Sequence, residues 1–208
     1  MTEVNSTPTI TVSEDPVVET AAIAFAEVSV SDPAVEDATC STTPMLDVVK
    51  QHLDAETWAY NVDVQEENHR TVITAGAKGE NGSYRVLMDV KEARSLLLIF
   101  IKSHINFPEN NRENLAVYLT RANYGLALGN FELDMEDGEV RYKCTTTVTG
   151  GSLSVEMVNA MLQNSLVTMD RYFGNMVKVG YGVMSAKQAI QEVEGGGSTD
   201  ADKVSPTQ

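Results

Sequence analysis

Apolar residues recur along the chain at two periods, and the switches between them mark the elements. Met45, Val48, Val49, His52 and Leu53 fall at three- and four-residue steps after Thr43 and Pro44. A capping residue followed by proline suits a helix start, so a helix is expected to about Leu53. Ala59 to Gln65 alternates weakly, as a strand at a sheet edge would. Thr71 to Ala77 and Ser83 to Val90 follow, separated by a turn containing Asn81-Gly82, a tight-hairpin dipeptide. Ser95 to Ser103 is almost unbroken in apolar residues, which predicts a central strand buried on both faces. Beyond Phe107 and Pro108, Asn110 and Glu113 have capping-box spacing, and Leu115, Tyr118, Leu119, Ala122 and Leu126 form the stripe of a second helix. Gly129 breaks it. Phe131 to Met135 and Glu139 to Val148 are two strands meeting at Asp137-Gly138. Ser154 is placed to cap a third helix, carried by Val155, Val158, Leu162, Leu166, Met169 and Phe173 and ending near Gly174; Met176 to Met184 is assigned a further short helix. The order is helix, three strands, helix, two strands, helix. Strands joined by short turns pair antiparallel, so the class is α+β with a five-stranded antiparallel sheet and helices packed on it.

The flanks lack either period. Residues 1–42 are rich in Thr, Ser, Pro and acids and hold no Lys or Arg, so they read as a disordered leader. Within it, Val18, Ala22, Phe25 and Val28 are spaced for a transient amphipathic helix over Asp15 to Val30. The Gly-rich, polar end reads as a flexible tail over residues 191–208, which leaves 43–190 as the domain. The chain of 208 residues carries 30 acidic and 15 basic side chains, a net charge of −15, and more than half of that sits in the leader. Such a balance argues against nucleic acid and against an anionic membrane surface, both of which select clustered Lys and Arg. No apolar run is longer than that of Leu96 to Ile101, which is far short of the roughly 20 residues a spanning helix needs. The start has neither the basic region of a secretory signal nor the Arg-rich character of a transit peptide, and the expected location is the cytoplasm. Cys40 and Cys144 read as free thiols.

Chemical signatures are absent from the sequence. His52, His69 and His104 are scattered, without the spacing of a zinc site. Asp134 to Gly138 has the opening of a calcium loop, but the position that needs a bidentate Glu is Thr145, so the segment is a hairpin turn. No nucleophile elbow, phosphate loop or dinucleotide fingerprint occurs. No catalytic residue, metal or cofactor is assigned, and the protein is not expected to be an enzyme. Met157, Met161, Met169, Met176 and Met184 suit either core filling or an adaptable partner face.

Three segments then align with something known: Arg121 to Asp134 (RANYGLALGNFELD), Asp137 to Tyr142 (DGEVRY) and Met169 to Phe173 (MDRYF). Together they resemble the YbjN family of small bacterial proteins, over about Pro44 to Met184. The resemblance implies a fold like that of type III secretion chaperones, commonly dimeric, and a role in sensory-transduction or motility regulation. It brings no catalytic residues. In physical terms, Asn123, Gly129, Phe131, Asp137 and Gly138 form a structural joint. Gly129 supplies the positive φ between helix and strand, Asn123 bonds loop backbone, and Phe131 and Leu133 face the core while Glu132 and Asp134 face solvent. The expected function is a non-enzymatic protein-interaction module, chaperone-like or regulatory, acting on a protein partner as a homodimer. The alternative is a small-ligand sensor with a pocket near the second helix and the following hairpin. Tyr118, Tyr124, Tyr142, Met157 and Met161 are the candidate partner or ligand surface, with Phe131 as a further pocket wall.

Overall fold

Alternation along the strands becomes a sheet with one side sealed. The computed structural model describes residues 44–65, 70–195 and 205–206. In chain order these are α1 (Met45–Ala55), β1 (Tyr60–Gln65), β2 (Arg70–Lys78), β3 (Ser83–Lys91), β4 (Leu96–Asn106), α2 (Arg112–Gly125), β5 (Asn130–Leu133), β6 (Glu139–Thr147), α3 (Val155–Gly180), α4 (Ala186–Gly195) and the two-residue β7 (Ser205–Pro206). The expected leader, Cys40, Thr43 and His69 lie outside the described residues.

The strands pair antiparallel in the order β1-β2-β3-β4-β6-β5, with β7 on β2. Register aligns the buried residues into cross-strand rows. Ile73, Met88, Ile99 and Cys144 form one row, and Ala75, Val86, Ile101 and Tyr142 the next. All eight are buried. α3 lies against β4 and β6 and touches α1, α2 and α4, so it is the central pillar of the helical layer. Leu162, Leu166, Met169 and Met176 on its inner side are wholly buried, as the three- and four-residue spacing predicts.

Several expectations are corrected. The main path has six strands, not five, because the weakly alternating Tyr60–Gln65 pairs with β2 as an edge. Pro44 itself occupies the N-cap of α1, without a side-chain cap. α2 begins at Arg112 after a 3₁₀ turn at Glu109–Asn111, and its N-cap Asn111 makes no capping bond, so the Asn110–Glu113 box does not form. Ser154 does cap α3, accepting from Met157 N at 3.2 Å. That helix runs through Gly174 to Gly180. The added helix is Ala186–Gly195, not Met176 to Met184. Ser185 and Gln188 start it reciprocally: Gln188 N donates to Ser185 Oγ at 3.3 Å and Ser185 N to Gln188 Oε1 at 3.4 Å. α4 carries the domain past residue 190, and Ser205–Pro206 pair with Ala77–Lys78, so the segment expected to be a flexible tail contributes a helix end and a short strand. β4 is sealed on one face only: Leu97, Ile99 and Ile101 are fully buried, whereas Leu96, Leu98 and Phe100 are half-buried. No described helix is long and apolar enough to cross a membrane.

Candidate interaction site

Two side-chain ties hold the helical layer in register with the sheet. At the first, the chain leaves α2, turns through Gly129 at φ +71° and enters β5. Asn123 in the last turn of α2 accepts from Phe131 N at 2.7 Å and donates to Phe131 O at 3.1 Å, copying a strand partner at the sheet edge. The Tyr142 hydroxyl donates to Leu128 O across the same loop. Arg112 closes the far side, donating to Phe107 O, Met135 O and Glu136 O, each at 3.0 Å. In the β5–β6 turn, Asp134 accepts from Glu136 N at 2.8 Å and Asp137 from Glu139 N at 2.7 Å, while Gly138 sits at φ +82°. The carboxylates that open like a calcium loop are thus engaged with turn backbone.

The second tie is Asp170 on α3. Only 4% exposed, it accepts from Glu80 N and Asn81 N at 3.0 Å and from the Tyr84 hydroxyl at 2.6 Å. Burial, reinforced by this carboxylate acceptor, pushes the Tyr84 phenol well above its ordinary range. Gly79 is required beneath it, because an added Cβ would collide with the Asp170 carboxylate. Asp170 belongs to the family-like MDRYF segment, where the sequence pattern alone assigns it no role. An acid on the inner face of an apolar helix was the signal that it receives backbone donors.

The candidate surface residues do not share a surface. Tyr118 and Tyr142 are fully buried, Met161 is 8% exposed, and the Tyr118 hydroxyl donates to Tyr172 O at 2.9 Å. Phe131 stacks edge-on against Tyr142 and Tyr172 at 5.0 and 5.6 Å, so these rings fill the space a pocket would need. Tyr124, in contrast, is 97% exposed, and Met157 is partly exposed on α3. Met169 and Met176 are wholly buried core residues. Cys144 is buried, and that burial pushes its thiol up from its ordinary value. Among the described residues, no group of three metal-ligating side chains comes together.

What sequence reasoning missed is the opposite face of the sheet. Val72, Leu87, Leu98 and Phe100 point away from the helices, half-buried and outside the core cluster. Leu87 and Phe100 are direct cross-strand partners, and Leu98 lies in the next row. Beside them Arg85, Lys102 and Arg141 stand directly opposite one another on β3, β4 and β6. Glu139 pairs with Lys102, and Glu132 with Arg141 and Lys143. Burial opposes ionisation of Glu132, but the hydrogen bonds from Lys143 and Arg141 overcome it and hold the carboxyl below its ordinary range. The Arg141 guanidinium also covers the Phe100 ring at 4.9 Å. At the β5 end, Glu132, Leu133, Asp134, Met135, Glu139 and Arg141 line an open hollow of about 390 Å³. The clue in the sequence was the apolar surplus of Ser95 to Ser103, more than a strand sealed on one face requires.

A sheet backed on one side by helices, tied by Asn123 and Asp170, and bearing a mixed apolar and cationic outer face defines a small α+β protein with an antiparallel sheet. The chain belongs to the YbjN family: the family model, described as "Putative bacterial sensory transduction regulator", matches residues 45–176. Among solved structures it is similar to one described as "Crystal structure of YbjN, a putative transcription regulator from E. coli". That likeness has 17% identity, a TM-score of 0.45, and covers 61% of this chain and 87% of the other. No curated protein matches the chain.

Proposed function

We propose that the protein is a non-enzymatic regulatory module that works by binding another protein through the open face of its sheet. The observation that carries this reading is the half-buried apolar group Leu87, Leu98 and Phe100 on a face that no described helix covers. Apolar surface kept outside the core is characteristic of an interaction site. Membership of a family described as a sensory-transduction regulator agrees with it. The ligand-sensor alternative has less support, because the aromatic residues near α2 and the hairpin pack against one another. A homodimer belongs to the same reading, with edge strand β1 and its exposed Val62 and Val64 as the place for a second copy. Light scattering tests that part, and a particle near 22.6 kDa removes it. Affinity capture from the native cell tests the main claim. Wild-type protein retains a partner that Leu98→Asp loses; retention by both ends the reading.

A further inference from the structure

We propose that the open face takes an acidic, amphipathic segment of the partner protein, its carboxylates on the row Arg85, Lys102 and Arg141 and its apolar side chains on Leu87, Leu98 and Phe100. This rests on the interaction reading above and adds the partner's chemistry. Like charges directly opposite one another on neighbouring strands repel. Here three cations do so in succession on β3, β4 and β6. At roughly 4.8 Å between strands, they fall within about 10 Å. In a chain of net charge −15, this row sets three cations side by side on one face. The row already takes carboxylates. Glu139 answers Lys102 and Glu132 answers Arg141, while Arg85 is exposed and has no ion-pair partner among the described residues.

The next rows inward carry the apolar Leu87, Phe100, Val72 and Leu98, with Lys143 at the end of the first and Asp89, held by Arg70 and Lys91, within the second. A ligand that matches both therefore carries acids along one line and apolar side chains along a parallel one, which is an amphipathic segment. A nucleic-acid strand matches less well. It needs free ring faces for stacking, and Phe100, the aromatic of this face, is already covered by Arg141. A second copy matches less well too, because a two-fold interface here sets the cationic row near its own image.

Fluorescence anisotropy on the full chain tests the assignment. The probe is a labelled helical peptide of about four turns with Glu on one side and Leu on the other. The comparators are the same peptide with Lys for Glu and a labelled single-stranded oligonucleotide. The Glu peptide is expected to bind, to weaken with added salt, and to lose about tenfold in affinity to Arg85→Glu. Arg85→Gln gives a smaller loss in the same direction, and Lys187→Glu on the exposed side of α4 leaves binding unchanged. Equal affinity for the Glu and Lys peptides, or indifference to both Arg85 variants, overturns the proposal. Preference for the oligonucleotide overturns it in favour of a phosphate-binding face. A mass that falls from two copies to one on Arg85→Glu overturns it in favour of self-association. If the Glu peptide fails while Leu98→Asp still abolishes partner capture, only the partner's charge is wrong; if Leu98→Asp leaves capture intact, the face itself is wrong.

Discussion

Asp170 concentrates more structural consequence than any other side chain of the helical layer. A buried carboxylate is costly unless each oxygen is answered, and its answers come from the β2–β3 turn and Tyr84. Asp170→Ala leaves two backbone donors and a phenol without their acceptor. The expected loss is about 3 kcal/mol, read as a shift in the urea midpoint without a change in slope. His52 is the converse case: 2% exposed, its Nε2 has no hydrogen-bond partner among the described residues. Burial lowers its pKa below the ordinary 6.5, and Glu56 offsets this only in part. A depressed value in the folded state means that the unfolded chain takes up the proton first. The His52 contribution is therefore complete above about pH 6.5 and declines as pH falls through the lower folded value. Urea unfolding at pH 5.5 and 7.5 tests this, and the difference in stability between the two is expected to shrink in His52→Leu.

The elements form where the pattern placed them when a strong period coincided with a sharp stop. β3, β6 and α3 had both: alternation or a helical stripe, bounded by Asn81-Gly82, Asp137-Gly138 or a Ser cap that closes. Boundaries shifted where a local signal competed with tertiary packing. Gly174 reads as a helix stop, yet the helix continues through it, and the missing side chain leaves room for Asn81 of the β2–β3 turn, 3.4 Å from where a Cβ would be. The joint at residues 123–131 was legible as a joint, since only a few residue types serve a helix-to-strand turn. Gly129→Ala tests it. Its φ of +71° disfavours a side chain, and the new Cβ would stand 2.7 Å from Lys143 O and from Tyr142. A loss of about 2 kcal/mol is expected, visible as a lower melting temperature. Asn123→Ala removes both bonds to Phe131 and is expected to cost a similar amount. The two together should lose less than the sum, because they hold one loop.

At the scale of the whole molecule the decisive fact is that one apolar strand serves two environments. From sequence, Ser95 to Ser103 called for burial on both faces, and an α+β order with helices on one face could not supply it. Hydropathy alone cannot distinguish a residue that completes a core from one left on an uncovered sheet face, so the fold was legible and the outer face was not. Adjacent residues of β4 separate the two. Leu97 is fully buried against the helical layer, whereas its neighbour Leu98 points to the outer face, beside Leu87 and Phe100. Leu97→Asp places an unpaired charge in the core, a cost of several kcal/mol against a total stability of about 5–15, and the variant is expected to be unfolded or molten by near-ultraviolet circular dichroism. Leu98→Asp costs only about 1–2 kcal/mol, because water still reaches that side chain and Arg70 and Lys91 offset the Asp89 carboxylate that the new one would stand opposite. It should melt cooperatively within a few degrees of wild type while losing its partner. A Leu98→Asp protein that unfolds as Leu97→Asp does would mean that the outer face belongs to the core after all. A cooperative melt assigns that apolar surface to recognition instead of folding.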